Sequence, residues 1–309
     1  MNEKIINIPI RLDQVVFLST LQLIVPEKSN PDKIAAFGSG FLLRHKDRLW
    51  GITADHVVHL DDHDTQNDSG QRTGTDYIPQ IITNIKCENE LASVNLPLGG
   101  FYYFTGYGFD ENINPQKFKY TIDKILDGNV ELEDEEIPIN VRIPSLIDFA
   151  ICELKEPLPV QIFSNKVVNE NQEVVVDDKT PKICLNSDYI TDFDTDKTYI
   201  VGGTVHNEIV NSTTLKRTNA IHGDLKFIEM RDREAVLKTP ELPNILDWKG
   251  LSGAPILDDE GLLAGMIIRG PVTDDKITAI PINRIIHAID IIIQNEQING
   301  DALSAPNNQ

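Results

Sequence analysis

Three short segments carry residue types that together perform acyl transfer. In Gly250-Leu251-Ser252-Gly253-Ala254-Pro255 a serine lies between glycines. That pattern permits a tight turn that exposes Oγ, while the amides of Gly250 and Ser252 converge on a developing oxyanion. A serine hydroxyl is a poor nucleophile until a base takes its proton. The stretch Trp50-Gly51-Ile52-Thr53-Ala54-Asp55-His56-Val57-Val58, preceded by Gly38-Ser39-Gly40-Phe41-Leu42-Leu43, supplies one: two strands joined around Lys46-Asp47-Arg48 deliver His56 at the end of the second. In Leu146-Ile147-Asp148-Phe149-Ala150-Ile151-Cys152-Glu153-Leu154 an aspartate enters an apolar strand. A carboxylate is costly to bury there unless it is hydrogen-bonded or neutralised, as by an imidazole that becomes cationic. Each segment alone has a plainer reading: a glycine-rich turn, a satisfied core histidine, a strand-end aspartate capping a turn.

Positioning these side chains falls to short strands. Segments rich in Val, Ile, Phe and Thr recur near 15–25, 34–43, 48–54, 79–87, 100–106 and 148–154, then near 172–177, 181–185, 198–206, 226–231, 234–238, 254–257, 262–268 and 277–281. So many short strands with few helical patterns predict an all-β protein of barrels or sandwiches. Between the two sets, Lys155 to Val160 holds two prolines where neither a helix nor a central strand continues. The segments 61–76 and 110–136 read as surface insertions, the latter with a helical stretch at 118–127 and an acidic end. From Asn283 to Gln294, Ile285, Ile286, Ile289, Ile292 and Ile293 line one face of a helix.

Composition narrows the function classes. The chain has 309 residues, 40% hydrophobic and 25% charged, which is a globular balance. A net charge of −20 opposes nucleic-acid binding, which needs clustered Lys and Arg at phosphates. No apolar run approaches the length of a membrane-spanning helix, and Met1 to Leu12 lacks the apolar core of a secretory signal. Three cysteines, Cys87, Cys152 and Cys184, have no metal-ligand spacing and suit a reducing compartment. The expectation is a cytoplasmic protein that contacts neither nucleic acid nor membrane.

In chain order the three candidates are His56, Asp148, Ser252, the order of chymotrypsin and not of subtilisin or the α/β-hydrolases. On these motifs, and on Gly261 to Gly270 followed by Thr278 to Asn283, the sequence resembles the trypsin-like serine peptidase family, especially its bacterial intracellular and HtrA-type members, over roughly residues 15–295. The resemblance implies two six-stranded antiparallel β-barrels with a C-terminal α-helix. The first barrel (1–155) carries His56 and Asp148; a connection and first strand (156–180) lead to a second barrel with Ser252 and the terminal helix (181–297), then a flexible tail (298–309). It implies a peptidase that needs no cofactor or metal and acts on protein or peptide substrates, with Gly250 and Ser252 forming the oxyanion hole. A substrate strand would pair along Ile268, Arg269 and Gly270.

The chain departs from the family at two places. Leu251 stands where digestive members have the aspartate that pairs with a newly cleaved N-terminus, so either the oxyanion loop is already ordered or something else orders it. Leu246 falls at the base of the substrate pocket, and Asp247 beside it either favours a basic substrate residue or is a solvated loop aspartate. Three alternatives stay open: a metal site among His56, His59, Asp61, Asp62, His63 and Asp64, a catalytically silent fold that binds protein, and a peptidase controlled by a regulatory protein partner.

Overall fold

The computed structural model describes residues 10–60, 77–87, 90–106, 145–156, 158, 161–169, 171–210, 214–231, 233–271 and 274–304. The expected insertions at 61–76 and 110–136 lie outside them, as do Asp61, Asp62, His63 and Asp64 of the metal alternative. The chain forms two compact units, one of 1–102 with 148–309 and a smaller one of 103–147. The larger unit holds every candidate site residue.

In chain order its elements begin with α1 (Leu12–Ser19), β1 (Thr20–Glu27), β2 (Asn30–His45), β3 (Arg48–Thr53) and the single turn α2 (Asp55–Val58). Then come β4 (Gln80–Cys87), β5 (Glu90–Pro97), β6 (Phe101–Gly106) and β7 (Ser145–Leu154), of which the last two run into the smaller unit. They are followed by β8 (Val167–Val168), β9 (Val174–Val176), β10 (Leu185–Asn186), β11 (Tyr199–Val210), β12 (Thr214–Arg231) and β13 (Glu234–Lys238). The chain ends with β14 (Pro255–Asp258), β15 (Leu263–Arg269), β16 (Lys276–Pro281) and α3 (Ile282–Ser304).

The second set of strands closes as expected, into a six-stranded antiparallel barrel ordered β11-β12-β13-β16-β15-β14. Its interior packs Tyr199, Leu225, Leu237, Ile256 and Ile267. For the first set a closed barrel is not shown. Strands β5-β4-β1-β2-β3-β7 follow one another in an open sheet, and among the described residues no pairing closes it. Instead β10, from the segment assigned to the second domain, adds to β2 in parallel through Leu185 beside Leu43.

A second difference lies at the start, where Val15 to Leu18 form the end of α1 and not a strand. A short apolar run does not distinguish buried strand from buried helix. Here the amide of Arg11 is taken by the side chain of Gln14 at 3.1 Å, which opens a helix. Phe17 and Leu18 then pack on Val167, Val175 and Val176. At the other end α3 buries Ile285, Ile289 and Ile292 and runs on to Ser304, past the boundary expected at 298. Its Asp290 accepts hydrogen bonds from His45 Nε2 at 2.9 Å and Lys46 Nζ at 2.6 Å, tying the β2–β3 hairpin to the helix.

Lys182 is expected to make the fold pH-sensitive. Its ammonium donates to the carbonyls of Phe17, at 2.5 Å, and Thr20, at the C-terminal end of α1. Burial, with Arg217 nearby, pulls it down to about 7. The unfolded chain then holds this proton more tightly than the folded one, so the cost of the buried cation is full below about pH 7 and fades as pH rises towards 10.5. A neutral amine keeps both hydrogen bonds. Urea midpoints measured at pH 7, 8 and 9 are expected to rise, and Lys182→Met to flatten the rise; an equal slope in the variant would refute this origin.

Candidate functional site

His56 sits in α2, directly after β3, where Ala54 N-terminal to the turn takes extended backbone (φ −72°, ψ 140°). β3 pairs with β7 in the register Thr53–Ala150, which sets Asp148 beside the turn. The carboxylate is 6% exposed. Its Oδ1 accepts from the His56 backbone N–H at 3.1 Å, and both oxygens lie 2.9 Å from His56 Nδ1. The shared contact places a proton on Nδ1 and leaves Nε2 as the basic nitrogen.

Beside it lies a second histidine–aspartate pair. Asp55 and His59, one turn apart in the same segment and 0% and 4% exposed, meet at 2.7 Å through His59 Nδ1. Of the metal alternative, His56 and His59 are described, and each is committed to a carboxylate. Among the described residues no group of three or more His, Cys, Asp or Glu could hold a metal ion.

Ser252 occupies the turn between the 3-10 segment Ile245–Trp248 and β14. Gly250 and Gly253 have φ of 109° and 92°, backbone that glycine takes readily and other residues rarely do. Leu251 is wholly buried in the barrel core, and this anchors the turn from within. The hydroxyl of Ser252 donates to the Ile268 carbonyl at 3.5 Å; it makes no hydrogen bond to an imidazole among the described residues. Nor, among them, does the Gly250 or Ser252 amide have a protein acceptor.

The turn is joined to the sheet that carries His56. Ser39 N–H donates to the Ser252 carbonyl at 2.8 Å, Ser39 Oγ donates to the Gly250 carbonyl at 2.6 Å, and Thr53 Oγ1 donates to the Ser39 carbonyl at 2.7 Å. Thr53 ends the strand that leads into His56.

A cavity of about 480 Å³ opens beside Ser252. Ala35, Ala36 and Phe37 of β2 line it together with Ile245, Trp248, Gly270 and Pro271, and among the described residues Lys249 is its one charged lining residue. Gly270 and Ser252 thus line the same cavity. Ile268 is buried and meets Ser252 through its carbonyl, whereas Arg269 points into solvent, 3.9 Å from Glu234.

Leu246 and Asp247 do not line this cavity. Leu246 is 48% exposed, and Asp247 lines two other cavities together with His222: with three residues per turn, the 3-10 segment puts Ile245 and Trp248 on the cavity's side and turns the two residues between them away. Trp248, which sequence reasoning passed over, forms the wall: His222 stacks on it at 3.9 Å and 13°. Burial lowers the His222 imidazole below its usual range, which favours the uncharged ring in the stack. The only sequence signal for Trp248 was a large aromatic in an otherwise irregular stretch.

No family model matches the chain, and no curated protein matches it. Among solved structures it is similar to a serine endoprotease from Yersinia pestis, with 12% identity over 94% of this chain and 69% of that one and a TM-score of 0.40. It is also similar to the protease of tobacco vein mottling virus, with 6% identity over 91% of this chain and 83% of that one and a TM-score of 0.36.

Proposed function

We propose that the chain is a serine endopeptidase of the trypsin-like type, cleaving protein substrates through an acyl-enzyme with His56, Asp148 and Ser252 as its triad. One observation carries the reading: a buried carboxylate grips Nδ1 and the backbone of His56 together, the arrangement that orients the imidazole and would stabilise it as a cation. The nucleophile's turn is hydrogen-bonded to the same sheet.

In the proposed reaction Ser252 Oγ leaves the Ile268 carbonyl, attacks a peptide carbonyl and passes its proton to His56 Nε2. The Gly250 and Ser252 amides receive the oxyanion. His56 then protonates the leaving amine, and water, activated by the same base, releases the acyl group. The substrate strand lies along Ile268 to Gly270. With Asp247 outside the cavity, the residue next to the scissile bond is read as apolar and not basic. These steps draw on no cofactor. Among the described residues no helix is long and apolar enough to cross a membrane; a cytoplasmic setting, and control by a protein partner, belong to the same proposal.

A silent, protein-binding version of the fold is favoured by one observation, the Ser252 hydroxyl held by Ile268 and not by an imidazole. Covalent labelling separates the two. A fluorophosphonate probe forms an Oγ–phosphorus bond and expels fluoride only if a base takes the serine proton. Wild type is expected to label, and Ser252→Ala and His56→Ala to lose the label; folded wild type that stays unlabelled, alone and with cell lysate, would defeat the peptidase reading.

A further inference from the structure

Resting on that reading, we infer that Ser39 is a positioning residue for the oxyanion: its side chain and backbone fix the turn so that the Gly250 and Ser252 amides stay aimed at the reacting carbonyl. A peptide unit is planar, so holding its C=O and its N–H fixes the whole plane. The unit joining Gly250 to Leu251 is held at both ends, its C=O by Ser39 Oγ at 2.6 Å and its N–H by the Trp248 carbonyl at 3.1 Å. The unit joining Ser252 to Gly253 is held likewise. Its C=O takes the Ser39 N–H at 2.8 Å, and its N–H donates to the Ile267 carbonyl at 2.8 Å.

Between these two clamped planes lies the unit of Leu251 and Ser252. Its C=O accepts from Ala254 N–H at 2.8 Å, so the Ser252 N–H is the end left over. The Gly250 N–H adjoins the first clamped plane on its other side. Thus Ser39 supplies one partner to each clamped plane and none to the two amides that need to remain open. Its own carbonyl is gripped by Thr53 Oγ1 at 2.7 Å, and Ser39 is 1% exposed. Leu251, seated in the barrel core, holds the turn from the other side. Together they do the ordering that the chain's missing aspartate leaves undone.

Loss of the hydroxyl frees one end of the first plane while the Ser39 amide contact persists. Ser39→Ala is therefore expected to lower kcat about 10- to 100-fold, the scale of a displacement near 1 Å at a reacting centre, with KM changed less than about 3-fold. Inhibition by a peptide boronate, whose adduct is tetrahedral, should weaken in step, and Ser39→Thr should recover part of both. In parallel, the amide resonances of Gly250 and Ser252 are compared between wild type and Ser39→Ala.

A kcat within 2-fold of wild type per probe-labelled site would overturn the inference, even if the variant were less stable. Should wild type take no probe, the peptidase reading fails by itself. The resonances then decide the inference: displaced amides support it, and unmoved amides overturn it.

Discussion

Asp148→Asn is expected to cut kcat by about 10⁴-fold while leaving the protein folded. The asparagine carbonyl can keep the 3.1 Å contact with the His56 backbone N–H, which turns its NH₂ towards Nδ1. An NH₂ donates, so Nδ1 has to accept, and the imidazole proton moves to Nε2. That tautomer cannot take a proton from Ser252. Because a neutral amide replaces a carboxylate of nearly the same shape at a 6% exposed site, packing survives and the loss is chemical. The check is kcat measured on protein whose circular dichroism and urea midpoint match wild type. A decrease smaller than 10-fold would show that Asp148 does not set the tautomer.

The second large effect is expected at Gly253. A Cβ built there stands 2.0 Å from the Ser39 carbonyl oxygen and 2.7 Å from Thr53 Oγ1, and φ is 92°. Alanine has to pay both for the left-handed backbone and for a clash with another chain segment that is itself hydrogen-bonded. Gly253→Ala should push β2 away from the turn, break the Ser39–Ser252 contact, cost more than about 3 kcal/mol and abolish labelling of Ser252. Gly261→Ala is the control. It also has positive φ, 83°, but among the described residues its Cβ meets only Leu12 Cδ1 at 3.7 Å, so about 1–2 kcal/mol of backbone strain is expected. Equal urea midpoints for the two variants would show that the close approach of turn and sheet is unimportant.

The difference between those glycines marks what sequence does and does not carry. Glycines around Ser252 announce a turn, because few other residues take positive φ. Likewise β-branched runs announce the barrel strands, and spaced isoleucines the terminal helix. What such patterns leave out is which distant segment each element meets. Gly38-Ser39-Gly40 reads as the start of an apolar strand, and nothing in its spacing says that Ser39 will grip a turn more than two hundred positions later. Asp247 was a candidate for the substrate cavity by adjacency, yet a 3-10 turn repeats every three residues and gives the wall to Ile245 and Trp248. The run Val15 to Leu18 suits strand or helix equally; the capping contact at Arg11 decides it. Closure of the first sheet depends on pairing across the chain, about which local composition is silent.

Leu251 bears on how such an enzyme would be governed in time. A side chain wholly enclosed by the barrel takes its seat when the barrel folds, with no cut elsewhere in the chain to wait for. On the peptidase reading, competence would date from folding itself, and no irreversible event would divide an inert precursor from an active product. Restraint would then have to come from something that can be undone, such as an occupant of the cleft that leaves when substrate arrives.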